Sequence, residues 1–197
     1  SLSHNKITNI SPISGLINLT HLWLDGNQLA TITSLSKLSN LRGLHFGWAG
    51  ISDISPVANL TKLTNLRIHY NKITDISPLA NLSNLNDLHL IGNKVSDISA
   101  LVGNTSISGE IYLQKTSLNN TAYTTHIPAL KARGITVEYD MPEGVVLFKD
   151  ANLEKAIRDA LGIPTELLKK EDLEKLEELV VDNEGKPESA KISDLAG

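Results

Sequence analysis

Apolar side chains fall on a grid with a step of 22 residues through the first part of the chain. Leu22, Leu44, Leu66 and Leu88 stand one step apart, as do Leu19, Leu41, Leu63 and Leu85. The same step joins Leu24, Phe46, Ile68 and Leu90, then Leu29, Ile51, Ile73 and Val95, then Ile32, Ile54, Ile76 and Ile98. Inside each step the order x-L-x-L-x alternates. Its leucines therefore face one way and the intervening residues the other, which predicts a short strand. One such strand cannot bury its apolar face alone. Successive units must stack, giving a parallel sheet over a continuous core.

Polar positions repeat on the same step. Asn5, Asn27, Asn71 and Asn93 follow the strands. They are expected to turn inward and bond the backbone groups exposed where the chain leaves the sheet. The D-I-S-P wording around Asp53 and Asp75 suits a capped or helical turn on the outer side. Beyond the regular units, "SGEIYLQKTSLNN" keeps Ile111, Leu113 and Leu118 in register but has Thr116 for Asn. "THIPALKARGITVEYD" (125–140) predicts a short helix, with Pro128 in its first turn and Gly134 past its end, followed by a strand. In "DANLEKAIRDALG", Leu153, Ala156, Ile157, Ala160 and Leu161 form a helical apolar stripe closed by Gly162.

The segment "LTNLRIHYNKITDISPLANLSNLNDL" (63–88) resembles the 22-residue leucine-rich repeat of the internalin type found in bacterial surface proteins. That resemblance implies an α/β fold, a right-handed leucine-rich repeat solenoid with a concave parallel β-sheet and short 3-10 or turn segments on the convex side. Residues 1–118 are assigned to the repeats. Residues 119–144 are similar to a C-terminal cap, a short helix plus a strand that hides the last open edge. Residues 145–197 resemble a helical N-terminal cap followed by a first repeat: Leu173, Leu176, Leu179 and Val181 reproduce the spacing of Leu38, Leu41, Leu44 and Phe46, and "ISDL" (192–195) matches "ISDI" (51–54). Such a segment at this end fits either the opening of a following repeat domain or a permuted chain. In the glutamate and lysine run "KKEDLEKLEE" we see a solvated face.

With the leucines assigned inward, the outward strand positions can be read off. The central column is Trp23, His45, Arg67, His89 and Tyr112. Asp25, Gly47, His69, Ile91 and Gln114 lie on one flank, and His21, Gly43, Asn65, Asp87 and Glu110 on the other. Just past the strands come Trp48 and Tyr70, where other units have His4, Gly26, Gly92 and Lys115. Both tryptophans and most histidines thus fall on positions the core does not need. Trp, Tyr and Arg are the types enriched at binding hot spots, and clustered exposed aromatics point to a partner. The ligand-binding candidates are Trp23, His45, Arg67, His89 and Tyr112 centrally, with Trp48, His69 and Tyr70 at one rim. Cross-strand packing and cation–π contact explain the same residues as mutual support.

Composition narrows the chemistry. Net charge is -4, and residues 145–197 carry all of the acidic excess, so no basic surface for nucleic acid is expected. Cysteine is absent, which removes disulfides and thiol nucleophiles. No apolar run is long enough to span a membrane. His45 and His89 stand two strands apart, about 10 Å, too far to share one ion, so no metal or other cofactor is expected. Asp87 and Glu110 occupy equivalent places in adjacent units, but an open sheet offers no water-excluding pocket for acid–base work. The expectation is a solvated acidic flank and no enzyme.

The resulting functional expectation is a non-catalytic, protein-binding or adhesion module of a longer multi-domain chain. The internalin-type resemblance implies an extracellular or bacterial cell-surface, secreted setting. Two alternatives stay open. One is a carbohydrate-binding surface, with Trp23, Trp48 and Tyr70 stacking on sugar rings beside Asp25, Asn65 and Asp87. The other is a purely structural spacer. The stretch "LHFGWAGIS" (44–52) stands out. Gly43 and Gly47 are expected to clear space beside His45. Ala49 gives up one rung of the Asn ladder, about 1 kcal/mol of backbone bonding to be made otherwise.

Overall fold

The computed structural model describes residues 1–148, 150–164, 166–177 and 179. The chain divides into two compact units, Ser1–Asp140 and Met141–Gly197. In the first, six strands form one parallel sheet in sequential order: β1 His21–Trp23, β2 Gly43–His45, β3 Asn65–Arg67, β4 Asp87–His89, β5 Glu110–Tyr112 and β6 Thr136–Glu138. Leu22, Leu44, Leu66, Leu88, Ile111 and Val137 lie in one row across it. The expected stacked sheet of short strands is therefore what forms.

Each strand has only three residues, so its stability comes from the row of leucines behind it. Leu41, Leu44, Leu63, Leu66 and Phe46 are completely buried. Removing a leucine side chain of this kind from water stabilises the fold by about 2 kcal/mol. Short 3-10 turns at Ser11–Gly15, Thr33–Lys37, Ser55–Val57 and Ser77–Leu79 form the opposite side. The Asp53 carboxylate accepts the Ser55 N–H at 2.8 Å, and Asp75 and Asp97 treat Ser77 and Ser99 alike. In the fifth unit Ala100 stands where three of the four earlier ones have proline, and a short α-helix, α1 (Ser99–Gly103), replaces the 3-10 turn. This unit also brings in Asn104, a buried polar residue the repeat pattern does not announce; its amide donates to the carbonyls of Leu79 and Leu82.

The Asn ladder is built as expected at Asn27, Asn71 and Asn93. Asn71 donates to the carbonyls of Phe46 and Ile68 (both 2.9 Å) and accepts from the N–H groups of Ala49 (3.2 Å) and Ile51 (2.9 Å). Asn27 and Asn93 repeat the pattern in their units, while Asn5 is exposed. Where Ala49 breaks the series, the Leu29 N–H bonds the Ala49 carbonyl at 3.2 Å. In neighbouring units the matching N–H groups, of Ile7 and Ile51, go to an asparagine side chain.

The far end of the sheet is closed by a helical turn at Ala122–His126, by α2 (Ile127–Ala132) and by β6. Helical structure thus starts upstream of the segment read from sequence, because the Asn119 side chain accepts the Ala122 N–H at 2.8 Å and starts the turn early. Arg133 donates to the carbonyls of Val102, Asn104 and Ile107, satisfying the last backbone acceptors of the fifth unit. In the second unit α3 (Ala151–Leu161) starts at an Asp150 cap and ends at Gly162, which has φ of 66°. Ile157 is the buried residue of its stripe. The glutamate and lysine run begins in α4 (Lys170–Leu173). Val181 and the "ISDL" match fall outside the described residues. Among the described residues no helix is long and apolar enough to cross a membrane.

Asn71→Ala leaves two carbonyls and two N–H groups without their partner, and is expected to lower unfolding free energy by about 2–4 kcal/mol. Asn5→Ala, at an exposed rung, is expected to cost under about 0.5 kcal/mol. Urea denaturation followed by circular dichroism checks the pair; equal losses would mean that the ladder does not support the stack.

Candidate functional site

Because the leucines point inward, the residues between them stand in rows on the open face of the sheet, about 4.8 Å apart from strand to strand. The five central candidates resolve into two groups. In the first, the Trp23 indole stacks on His21 (5.7 Å between centroids, 20°) and meets His45 edge-on at 5.9 Å. In the second, Arg67 reaches Asp87 with Nη2 at 2.8 Å and Nε at 3.1 Å. Asn65 donates to the same carboxylate at 3.0 Å, and His89 Nε2 lies 2.8 Å from its other oxygen. His89 stacks on Tyr112 (4.2 Å, 28°), and the Tyr112 hydroxyl donates to Glu110 at 2.7 Å.

Asp87 is therefore a hub and not part of a solvated acidic flank. Both its oxygens are engaged, and Glu110 is turned to Tyr112. The reason is diagonal reach: a carboxylate on β4 lies beside the long Arg67 side chain of β3 and two residues from His89 on its own strand.

The rim group is also assembled. Trp48 and Tyr70 are stacked (4.8 Å, 11°), and His69 meets Trp48 edge-on at 4.4 Å. Lys115 Nζ sits 3.1 Å from the Tyr70 hydroxyl. The backbone explains why these side chains leave the sheet where they do. His4, Trp48, Tyr70 and Lys115 have φ of 57°, 51°, 52° and 56°, and Gly26 and Gly92 occupy the same place at 66° and 68°. Every unit thus turns out of its strand through a left-handed residue. That conformation is free for glycine and costs other residues about 1 kcal/mol. Four of the six positions, His4, Trp48, Tyr70 and Lys115, therefore carry this strain.

Two of the three expectations for 43–50 change. A Cβ on Gly43 would lie 2.7 Å from the His21 ring, and one on Gly47 would lie 2.4 Å from His69. These glycines make room for His21 and His69 and not for His45. Similarly, the Tyr70 ring lies across Gly92, where a Cβ would meet it at 2.5 Å. The lost Asn rung, by contrast, is made up by the Ala49 carbonyl as described above.

Burial and charge set the imidazoles. His45 and His69 are held below the usual histidine value first by burial, against the pull of Asp25. His89 is also lowered by burial, which outweighs the attraction of Asp87. Burial pushes the Asp87 carboxyl up, but hydrogen bonds from Asn65 and Arg67 and the charge of His89 bring it below the ordinary carboxylate value. Among the described residues no group of three or more His, Asp or Glu side chains is placed to hold a metal ion.

Known proteins fit this geometry. The family profile described as Leucine Rich repeats (2 copies) matches residues 1–37, 39–81 and 61–103. Among solved structures, an internalin (inlF) from Listeria monocytogenes is 35% identical over 68% of this chain and 38% of its own, with a TM-score of 0.59. An internalin C2 (inlC2) from the same organism is 29% identical over 70% of this chain and 68% of its own, at a TM-score of 0.56. A leucine-rich repeat protein of Leptospira interrogans shares the fold at 19% identity, covering 71% of this chain and 42% of its own, at a TM-score of 0.54. The chain thus spans 38% of the length of inlF. Among curated proteins none matches it in sequence.

Two measurements test the strain and the titration. Trp48→Ala and Trp48→Gly lose the same ring stack, but only glycine relieves the left-handed backbone. The glycine variant is expected to be more stable than the alanine variant by about 1 kcal/mol in urea denaturation. For the histidines the sign runs toward acid lability. Their folded values lie below the ordinary 6.5, so the unfolded chain binds protons more readily. Stability is complete above about pH 7 and falls as pH drops toward about 5. The denaturation midpoint is expected to fall less over that range in His45→Gln/His69→Gln, and equal slopes would count against this account.

Proposed function

The chain belongs to the leucine-rich repeat family, with repeats of the internalin type, and from that premise we propose that it is a non-catalytic recognition module whose concave face docks a protein partner. The observation that carries the reading is the way the exposed aromatic and cationic side chains are held before any partner arrives. Arg67, His89 and Tyr112 are fixed through Asp87 and Glu110, and Trp23 through His21 and His45. Side chains already held in place lose little conformational entropy on binding, so more of the contact energy appears as affinity. The role in the whole protein would be adhesion or contact with a host protein from a secreted or bacterial surface location.

A sugar-binding face has less support. Trp48 and Tyr70 spend one face each on the other, and Trp23 spends one on His21. Asp25 accepts the Gly47 N–H at 2.7 Å, while Asn65 and Asp87 are bonded to each other. The polar groups a glycan would need are thus engaged. A spacer role leaves the strained, solvent-facing Trp48 without a purpose.

Binding of the chain to arrays of cell-surface ectodomains and of glycans, beside Trp23→Ala/Arg67→Ala, tests the proposal. A protein partner retained by wild type and weakened at least about ten-fold by the double variant is expected, as for hot-spot residues. Capture on the glycan array alone, or equal binding by both proteins, would set it aside.

A further inference from the structure

Charge along the rim is unevenly placed in a way the repeat does not require. Beside the Trp48–Tyr70 stack runs a shallow groove floored by the buried Leu29 and Ala49 and edged by Gln28, Gly50 and Lys72. The position after each ladder residue is Gly50, Lys72 and Lys94 in successive units, and Lys115 closes the row from the position just before the ladder residue of its own, Thr116. All three lysines are exposed. Neither Lys72 nor Lys94 has an acidic partner among the described residues, and Lys115 is turned to the Tyr70 hydroxyl and ring. An aromatic wall, an apolar floor and three lysines thus lie side by side over three steps of the stack, about 14 Å. That length matches about four residues of extended peptide.

The ends of this run restrict what fits it. Asp25 stands on the unit before Trp48, and Asp140 on the unit after Lys115, where it accepts the Lys115 N–H at 2.8 Å. The acidic Glu110 and Glu138 lie farther across the same face. A long uniform polyanion, whether sulfated glycan or nucleic acid, would run onto these carboxylates and meet a protein of net charge -4. A short peptide can place its negative groups against the lysines and end there.

We infer that the rim from Trp48 to Lys115 receives a short, extended, acidic segment of the protein partner, with one bulky apolar side chain in the groove between Trp48 and Lys72 and carboxylates at Lys72, Lys94 and Lys115. The inference rests on the proposal that the partner is a protein, and adds the chemistry by which that partner is recognised. Trp48 supplies contact area from a fixed backbone position, and the lysines set register and orientation.

The test is selection of random dodecapeptides displayed on phage against the immobilised chain, followed by fluorescence anisotropy with the winning peptides. Winners are expected to carry two or more acidic residues within about four positions of a bulky apolar one. Their affinity is expected to fall at least about ten-fold on Lys72→Glu/Lys94→Glu and on Trp48→Gly, with Lys37→Glu, in the exposed turn on the opposite side, near wild type. Peptides with the acids changed to lysine are expected to bind Lys72→Glu/Lys94→Glu better than wild type. That charge exchange separates recognition from misfolding, because a collapsed variant gains no ligand. Winners without acidic bias, winners indifferent to the lysine changes, or no winners at all overturn the inference. If affinity is instead lost on Arg67→Ala, the concave-face proposal survives and the rim inference fails. Retention of sulfated glycans with no peptide selected removes both.

Discussion

Everything in the first unit depends on one leucine lying directly behind the next across the sheet. A strand of three residues gains too little from its own hydrogen bonds to exist alone. It persists because Leu22, Leu44, Leu66 and Leu88 share a row, in which Leu44, Leu66 and Leu88 are flanked on both sides. The 22-residue step is what keeps that row straight. Where the step lengthens, between Leu88 and Ile111 and again to Val137, extra structure appears on the other side: α1 and Asn104 first, then the closing helix α2. The sheet tolerates insertions only where the sheet itself is not made.

This division of labour leaves the outward positions free of folding duties, and the molecule fills them with interacting pairs. His21 and Trp23, Trp48 and Tyr70, and His89 and Tyr112 are each stacked. Asp87 ties two strands together through Arg67 and His89. Contacts of this type contribute about 0.5–1 kcal/mol each. They are small beside the leucine core, and their larger effect is to fix where each side chain stands.

Much of this was legible in the sequence, because inward and outward alternate with period two and the leucines mark the inward set. The strand rows, the Asn ladder and the membership of the rim group follow from that count alone. The left-handed turn after each strand was harder to see. Its marker is glycine, and glycine appears in only two of the six units, Gly26 and Gly92; His4, Trp48, Tyr70 and Lys115 hide the rest. The roles of Gly43, Gly47 and Asp87 were missed for a different reason. They arise from side chains leaning across to the next unit, His21 over Gly43 and Arg67 toward Asp87. Such lean depends on rotamers, which periodicity does not encode. Asn104 sits at an irregular step, where the grid gives no guidance.

Ala49 shows how such an array can diversify. The Leu29 N–H exchanges an asparagine side chain for a main-chain carbonyl, so the rung is closed with groups present in any sequence. The neighbouring Asn71 still serves Phe46 and Ile51 without change. A lapse in one unit is thus contained there and does not spread along the stack. Main-chain redundancy of this kind lets single repeats drift away from consensus while the others hold register, so new surface can be tried one unit at a time.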